Sequence, residues 1–137
     1  MGDVSYSWAD PDKLDYERRP PKEGEAARTT ADLTAALGLE QSRAKLWRYP
    51  PHSTGRRHRD HVQEEVFVVV SGTLTALLGD GPERVDVGPG GVVRVAPMTA
   101  LQLRNESDGE LVFFAYGAPP VQEGADFLDD VALPPKT

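Results

Sequence analysis

The chain of 137 residues contains no cysteine, which excludes disulfide bonds, thiolate metal sites and cysteine nucleophiles. It also lacks a long apolar segment. The apolar runs at residues 66–70 and 111–116 are far too short, since a membrane-spanning helix needs about 20 such residues. The first residues show no basic start followed by an apolar stretch, so no secretory signal is expected. We therefore expect a cytoplasmic protein that does not insert into membranes.

Basic residues are also fewer than acidic residues. The chain has 15 lysines and arginines against 22 aspartates and glutamates, a formal net charge of -7. Because nucleic-acid binding depends on neutralising phosphates with basic side chains, no nucleic-acid partner is expected. Residues 55–59 form a local exception with three arginines and one histidine. They form either a solvated loop or an entrance that attracts a small anion.

The composition divides the chain into three parts. Residues 1–41 form an N-terminal arm with one short helix, residues 42–118 a β-barrel, and residues 119–137 an acidic C-terminal tail. The first 28 residues are polar and rich in proline, which predicts an irregular arm. Within it, Val4, Tyr6 and Trp8 alternate with polar residues, which is typical of a short strand with one apolar face. Such a strand could lie on its own barrel or add to the sheet of a neighbouring subunit.

The helix is predicted over residues 30–37, with Thr29 or Thr30 capping its start and Gly38 ending it. After it, apolar and polar residues alternate in short segments that are separated by glycine- and asparagine-rich turns. One segment starts near Ser42 and stops at Pro50. The others cover residues 65–70, 73–78, 83–87, 92–95, 101–105 and 111–116. Short strands at this spacing predict an all-β antiparallel sandwich or barrel.

Two of these segments resemble the sequence motifs of a known family. Residues 58–72 are similar to the first motif of the cupins, in which a histidine pair precedes a glutamate and, after six further residues, a glycine; Glu65 and Gly72 have this spacing. Residues 90–105 resemble the second cupin motif, with Gly90 and Asn105 in register. The resemblance to small single-domain cupins of type 2 implies a double-stranded β-helix, the jelly-roll barrel. It also implies pairing of two subunits, and with the apolar alternation at Val4, Tyr6 and Trp8 we predict a homodimer.

The same motifs depart from the family pattern at the residues that would bind metal. Leu101 stands where the second motif has its histidine, and Ala96 and Met98 replace a proline and a glycine. In the first motif the two histidines, His58 and His61, have two residues between them instead of one. The ligand set that the resemblance implies is therefore incomplete.

Strand geometry leaves two arrangements open for the first motif. In a regular strand, His61 and Gln63 share the inward face with Glu65, and His58 points away. In a bulged strand, His58 and Asp60 join Glu65 instead. The candidate metal ligands are thus His58, His61 and Glu65, with Gln63 as an alternative to His58.

The predicted pocket combines an apolar wall with a few polar groups, as small-molecule sites do. Its members are Gln63, Phe67, Val69, Leu101 and Leu103. We expect a protein that binds a small molecule in the barrel without a full metal site and without another cofactor; no catalytic residue is assigned. The alternative is a metal-dependent enzyme of the oxygenase or isomerase type, using a divalent transition metal and a reduced ligand set. A third hypothesis is a structural dimer whose barrel is packed shut.

Overall fold

The computed structural model describes residues 5–121 and 124–136. Within these residues almost all regular structure is β-strand, with a 3₁₀ turn at Pro11–Lys13 and one helix, α1, at Leu33–Leu37. The strands are β1 (Tyr16–Arg19), β2 (Arg28–Asp32), β3 (Arg43–Tyr49), β4 (Ser53–Thr54), β5 (His58–Asp60), β6 (Glu64–Ser71), β7 (Leu74–Leu78), β8 (Glu83–Val87), β9 (Val92–Val95), β10 (Leu101–Asn105), β11 (Leu111–Ala118) and β12 (Ala125–Phe127).

The strands form two antiparallel sheets. The first has the order β1-β2-β3-β11-β6-β9, and the second has the order β12-β5-β10-β7-β8, with β4 also paired to β10. Consecutive strands such as β5 and β6 lie in different sheets, so the chain winds back and forth between the two layers. The inward-facing side chains of both sheets make one apolar core. Its members are Tyr49, Phe67, Val69, Leu74, Ala76, Val93, Val95, Leu101, Leu103, Leu111 and Phe113.

The strands predicted between residues 65 and 116 are confirmed. The predicted bounds 83–87, 92–95 and 101–105 agree with β8, β9 and β10. The motif glycine Gly72 has φ 81°, and a Cβ added there would lie 2.5 Å from the Glu110 carbonyl oxygen. Asn105, the motif asparagine, is fully buried, and its Nδ2 donates to the carbonyls of Tyr49, Pro50 and Gly109. Both motif residues therefore shape turns of the barrel.

The N-terminal segment is more ordered than predicted. The part expected to be irregular contains β1, and β1 and β2 extend the first sheet beyond the predicted start of the barrel at residue 42. No strand forms around Tyr6 and Trp8, which are 73% and 78% exposed, so a strand at these two residues was a wrong prediction. Val4 lies outside the described residues. Within the described chain, no strand pairs with these residues.

The helix starts later than predicted. Residues 28–32 belong to β2, where Thr30 pairs with Trp47 of β3, so neither Thr29 nor Thr30 can cap a helix. Asp32 is the N-cap, and its carboxylate accepts hydrogen bonds from the backbone N–H groups of Thr34 and Ala35. Gly38 ends the helix in the left-handed conformation, as predicted. Among the described residues, no helix is long and apolar enough to cross a membrane.

The predicted C-terminal tail also contributes to a sheet. β12 pairs with β5, with Phe127 opposite His58 and Ala125 opposite Asp60. The Leu128 N–H donates to the Arg57 carbonyl, and the Arg57 guanidinium donates to the Asp129 carbonyl. The tail is thereby held along the edge of the second sheet, next to the predicted site.

Candidate functional site

One end of the barrel is open and forms a cavity of about 610 Å³. Its apolar floor consists of Tyr49, Phe67 and Leu103, which are also members of the core. Its walls carry polar groups from five strands, and Phe127 of β12 lies at its side. A cavity of this size and lining can enclose a small organic molecule.

Strand β11 explains why this end of the barrel is open. Its inward-facing residues decrease in size along the strand, from Phe113 through Ala115 to Gly117. Phe113 is fully buried and fills the space between the sheets. Ala115 leaves the space above the strand open, whereas the Gln63 side chain lies over Gly117, and all three residues line the cavity. The order of three side chains on one strand therefore separates the packed core from the open site.

His58 and Glu65 approach each other from different sheets at one side of the cavity. The His58 Nε2 lies 3.8 Å from Glu65 Oε1, and both side chains are mostly buried. The His58 Nδ1 lies 3.1 Å from the Arg56 carbonyl oxygen. Burial opposes the charge on His58, but the Glu65 carboxylate, the Arg56 carbonyl and Asp60 outweigh it and raise the pKa of His58 above its usual value. The pair is therefore suited to hold and exchange a proton.

A turn between β5 and β6 decides which histidine enters the cavity. Asp60 Oδ1 accepts hydrogen bonds from the N–H groups of Val62 and Gln63, so the chain reverses here instead of continuing as one strand. His61 stands on the outside of this turn, with Nε2 3.0 Å from Asp126 Oδ1. Contact with His61 lowers the pKa of Asp126, an effect to which Arg59 adds. The regular-strand arrangement, with His61 inside and His58 pointing away, is wrong because residues 58–65 do not form one strand.

The predicted pocket residues divide into two groups. Gln63, Phe67 and Leu103 line the cavity, and Gln63 Nε2 donates to the Pro119 carbonyl. Val69 and Leu101 are 2% and 1% exposed and belong to the packed core, so they do not line the cavity.

The predicted metal ligands are not brought together. His58 and Glu65 are neighbours, whereas His61 is directed toward Asp126. Leu101 of β10 is the direct partner of His58 on the adjacent strand β5. Its side chain offers no lone pair where the family pattern has a histidine. Among the described residues, no group of three or more histidine, aspartate or glutamate side chains is arranged to hold a metal ion. A catalytic metal site usually has three protein ligands, so these residues do not fit one.

The basic segment at residues 55–59 is part of the site and is not a solvated loop. Arg56 lines the cavity, with its guanidinium 3.5 Å from the centre of the Phe127 ring. Arg59 Nε donates to Asp126 Oδ2 at 3.0 Å. Within this segment, therefore, only Arg56 and His58 face the cavity.

A group of basic residues on the first sheet was not predicted from the sequence. Arg19 of β1, Arg28 of β2, and Arg43 and Lys45 of β3 all line the cavity, together with Trp47. We call the four basic residues the basic wall. The alternation of Arg43, Lys45 and Trp47 with Ala44 and Leu46 predicts a strand with two different faces. It does not show which of the two faces lies inside the barrel.

Comparison with known proteins identifies the fold. A sequence model of the cupin domain matches residues 45–116, just over half of the chain. No curated protein matches the sequence. The match covers the central strands and both motifs.

Solved structures resemble the whole fold at low sequence identity. A polyketide cyclase from Streptomyces resistomycificus superposes with a TM-score of 0.75 at 17% identity, covering 91% of this chain and 87% of the cyclase. A sugar phosphate isomerase of the cupin superfamily from Silicibacter pomeroyi gives 0.73 at 24% identity, covering 90% and 83%. A predicted oxalate decarboxylase from Thermotoga maritima gives 0.70 at 18% identity, covering 81% and 97%. These likenesses confirm the predicted jelly-roll fold, and at such identities they show the fold alone.

Proposed function

The chain belongs to the cupin domain family, and we propose that it binds a small organic molecule in the open end of the barrel without a resident metal ion. The observation that carries this proposal is the cavity itself. It is about 610 Å³ in volume and has an apolar floor below a few convergent polar side chains. This combination is typical of small-molecule sites in proteins. The third hypothesis, a barrel that is packed shut, is not compatible with a cavity of this size.

Within the site, each group has a distinct chemical use. Phe67 and Leu103 offer apolar surface to the body of the ligand. His58 and Glu65 offer one proton donor and one acceptor at the edge of that surface. Trp47 and Phe127 add aromatic faces on the two sides of the cavity, against which a planar group can stack.

A second candidate function is proton transfer on the bound molecule. The arrangement of His58 beside Glu65 supports it, because an imidazolium can donate a proton while the neighbouring carboxylate accepts one. Similar folds occur in proteins described as an isomerase and a cyclase. Metal-dependent chemistry is not proposed, because the described donor set does not fit a three-ligand centre.

Thermal unfolding of untagged protein with a panel of organic acids, sugars, sugar phosphates and aromatic compounds tests the proposal. A compound that binds only the folded state stabilises it by about 2.7 kcal/mol at a hundredfold excess over its Kd. We expect at least one class of compound to raise the unfolding temperature, with no effect of a chelator on that shift. Elemental analysis of the same sample tests the alternative, a metal-dependent enzyme. Stoichiometric divalent metal whose removal abolishes the shift would contradict the proposal, as would a panel that shifts nothing.

A further inference from the structure

The basic wall places four cations on three neighbouring strands at one side of the cavity. Arg19 and Arg28 are direct partners across β1 and β2. Arg43 and Lys45 are on β3, the next strand in the sheet. The chain as a whole carries an excess of acidic residues, so a concentration of positive charge inside its main cavity is not a consequence of composition.

The cations of the wall have few acidic partners, in contrast to those outside. In the described part of the chain, Arg28, Arg43 and Lys45 form no ion pair. On the outer face of the same sheet, Arg48 pairs with Glu110 at 3.3 Å and Arg94 pairs with Glu64 at 2.8 Å. Arg19 alone in the wall has a carboxylate partner, the exposed Glu17. The fold therefore supplies counter-charges on its surface but leaves the cavity positive.

Arg28 is held by aromatic contacts and one hydrogen bond, and its Nε–H has no acceptor among the described residues. Its guanidinium carbon lies 5.4 Å from the centre of the Trp47 ring and 5.3 Å from that of Tyr49, and its Nη1 donates to the Tyr49 hydroxyl at 3.3 Å. The Arg28 Nε is buried and has no hydrogen-bond partner among the described residues. Buried donors are nearly always satisfied, so this atom indicates an acceptor that the protein does not itself provide.

The pKa of Lys45 is lowered by burial and in part by repulsion from the other cations of the basic wall. Burial lowers its pKa, and the charges of Arg19 and Arg43 lower it further, with Asp32 and Glu17 opposing them in part. An anion in the cavity would reverse this effect, because opposite charge favours the protonated amine.

The wall and the His58–Glu65 pair lie at the two sides of one open groove. Arg43 pairs with Gly117 on β11, and Gly117 pairs with Glu65 on β6, so the three residues form one row across the sheet. Adjacent strands are about 4.8 Å apart, which separates the Arg43 and Glu65 backbones by roughly 10 Å. Gly117 has no side chain of its own, but the Gln63 side chain lies over it, 3.0 Å from the position that a Cβ would take. The open space lies in the next inward-facing row, over Ala115, whose partners on the two adjacent strands are Lys45 and Phe67.

We propose that the ligand of this cavity is an organic oxyanion, whose carboxylate or phosphate group binds to Arg28, Arg43 and Lys45 while the rest of the molecule extends over Ala115 toward His58 and Glu65. This inference rests on the proposed function and specifies the chemical class of the ligand. Guanidinium and ammonium groups form their strongest hydrogen bonds with such oxyanions. A positive cavity within an acidic protein also draws in small anions selectively.

The test uses two matched pairs of probes, each pair being an anion and a neutral compound of similar shape. Benzoate is compared with benzamide, and glucose 6-phosphate with glucose, by calorimetric titration of the intact protein. The wall variant combines Arg43→Gln with Lys45→Gln. The control variant combines Arg48→Gln with Arg94→Gln, which removes the same charge from the outer face of the same sheet. Since removal of Lys45 also removes repulsion, we expect the wall variant to fold, with an unfolding temperature at or above that of the parent.

We expect at least one anion to bind the parent at least tenfold more tightly than its neutral partner. The wall variant should lose roughly tenfold or more of that affinity, and the control variant should keep it. The stronger of the two anions distinguishes a carboxylate from a phosphate ligand. Equal binding of anion and neutral partner, or equal binding by parent and wall variant, overturns the anion inference and leaves the proposed function intact. Failure of all four probes together with the larger panel overturns both.

Discussion

Leu101 is the clearest departure of this chain from the family's metal-binding pattern. The family resemblance places a metal-binding histidine at this position, and the register shows what that histidine would have contacted, since Leu101 is the direct partner of His58. A leucine there leaves His58 and Glu65 as the two donors that face each other. Two protein ligands hold a transition metal poorly, whereas an imidazole beside a carboxylate is an effective proton-exchange pair.

His58 should titrate above the usual histidine value of about 6.5, and Glu65→Gln should lower its pKa. In the variant, burial still opposes the charged imidazole, but the carboxylate no longer compensates for it. A raised folded-state pKa adds stability that is fully present below the unfolded pKa and is lost as the pH rises through the folded pKa. Glu65→Gln should therefore destabilise the protein more at pH 6 than at pH 9. NMR titration and urea unfolding at the two pH values measure these effects.

Glu64→Gln is the matched control for this prediction. Glu64 is the preceding residue, points outward and pairs with Arg94, so its neutralisation should leave the pKa of His58 unchanged. If His58 titrates at its usual value, or if the two variants behave alike, then the His58–Glu65 pair does not act as described.

At the scale of strands and turns, most of the barrel could be predicted from the sequence. Strands β6 to β11 are short segments rich in apolar residues, and several of the turns between them contain glycines in the left-handed region, such as Gly72, Gly79 and Gly90. Only glycine adopts this conformation without strain, so the turns are visible in the sequence. The motif spacing then identifies the arrangement of the strands.

Other elements could not be predicted because their structure depends on their neighbours. β1 and β2 contain few apolar residues and are strands because β3 offers a free edge for pairing. The two-residue spacing between His58 and His61 does not show whether the chain continues or turns at Asp60. Alternation on β3 likewise does not show which face is inside, because Ala44 is buried on the outer side, where Thr34 of α1 hydrogen-bonds to its backbone N–H.

Strand β11 offers a test of the cavity. Ala115→Leu adds a larger side chain between Lys45 and Phe67, its partners on the two adjacent strands. Because this side chain points into open space, we expect little loss of stability and at least a tenfold loss of affinity for any compound that binds the parent. Ala36→Leu makes the same change at an exposed position of α1, outside the cavity, and should bind as the parent does. Undiminished binding by Ala115→Leu would place the ligand elsewhere.

For the whole molecule, we propose assembly into a homodimer. Several large apolar side chains are exposed on the single chain, including Tyr6 and Trp8 at the N-terminus and Val70 and Val92 on the first sheet. Burial of such surface is a common driving force for association. Light scattering at micromolar concentration should give twice the 14.9 kDa mass of one chain. A mass of one chain refutes the proposal, and the double variant Tyr6→Ser, Trp8→Ser tests whether the N-terminal residues contribute.

The most direct test of the account is the fluorescence of Trp47 during titration with organic compounds. Trp8→Phe leaves Trp47, on the cavity wall, as the single tryptophan of the chain. We expect a saturable change in Trp47 fluorescence with at least one small organic compound in the presence of a chelator, and organic oxyanions should bind most tightly. No change with any compound of the panel, or a change that requires added divalent metal, would contradict the conclusion that this cavity binds an organic ligand without metal.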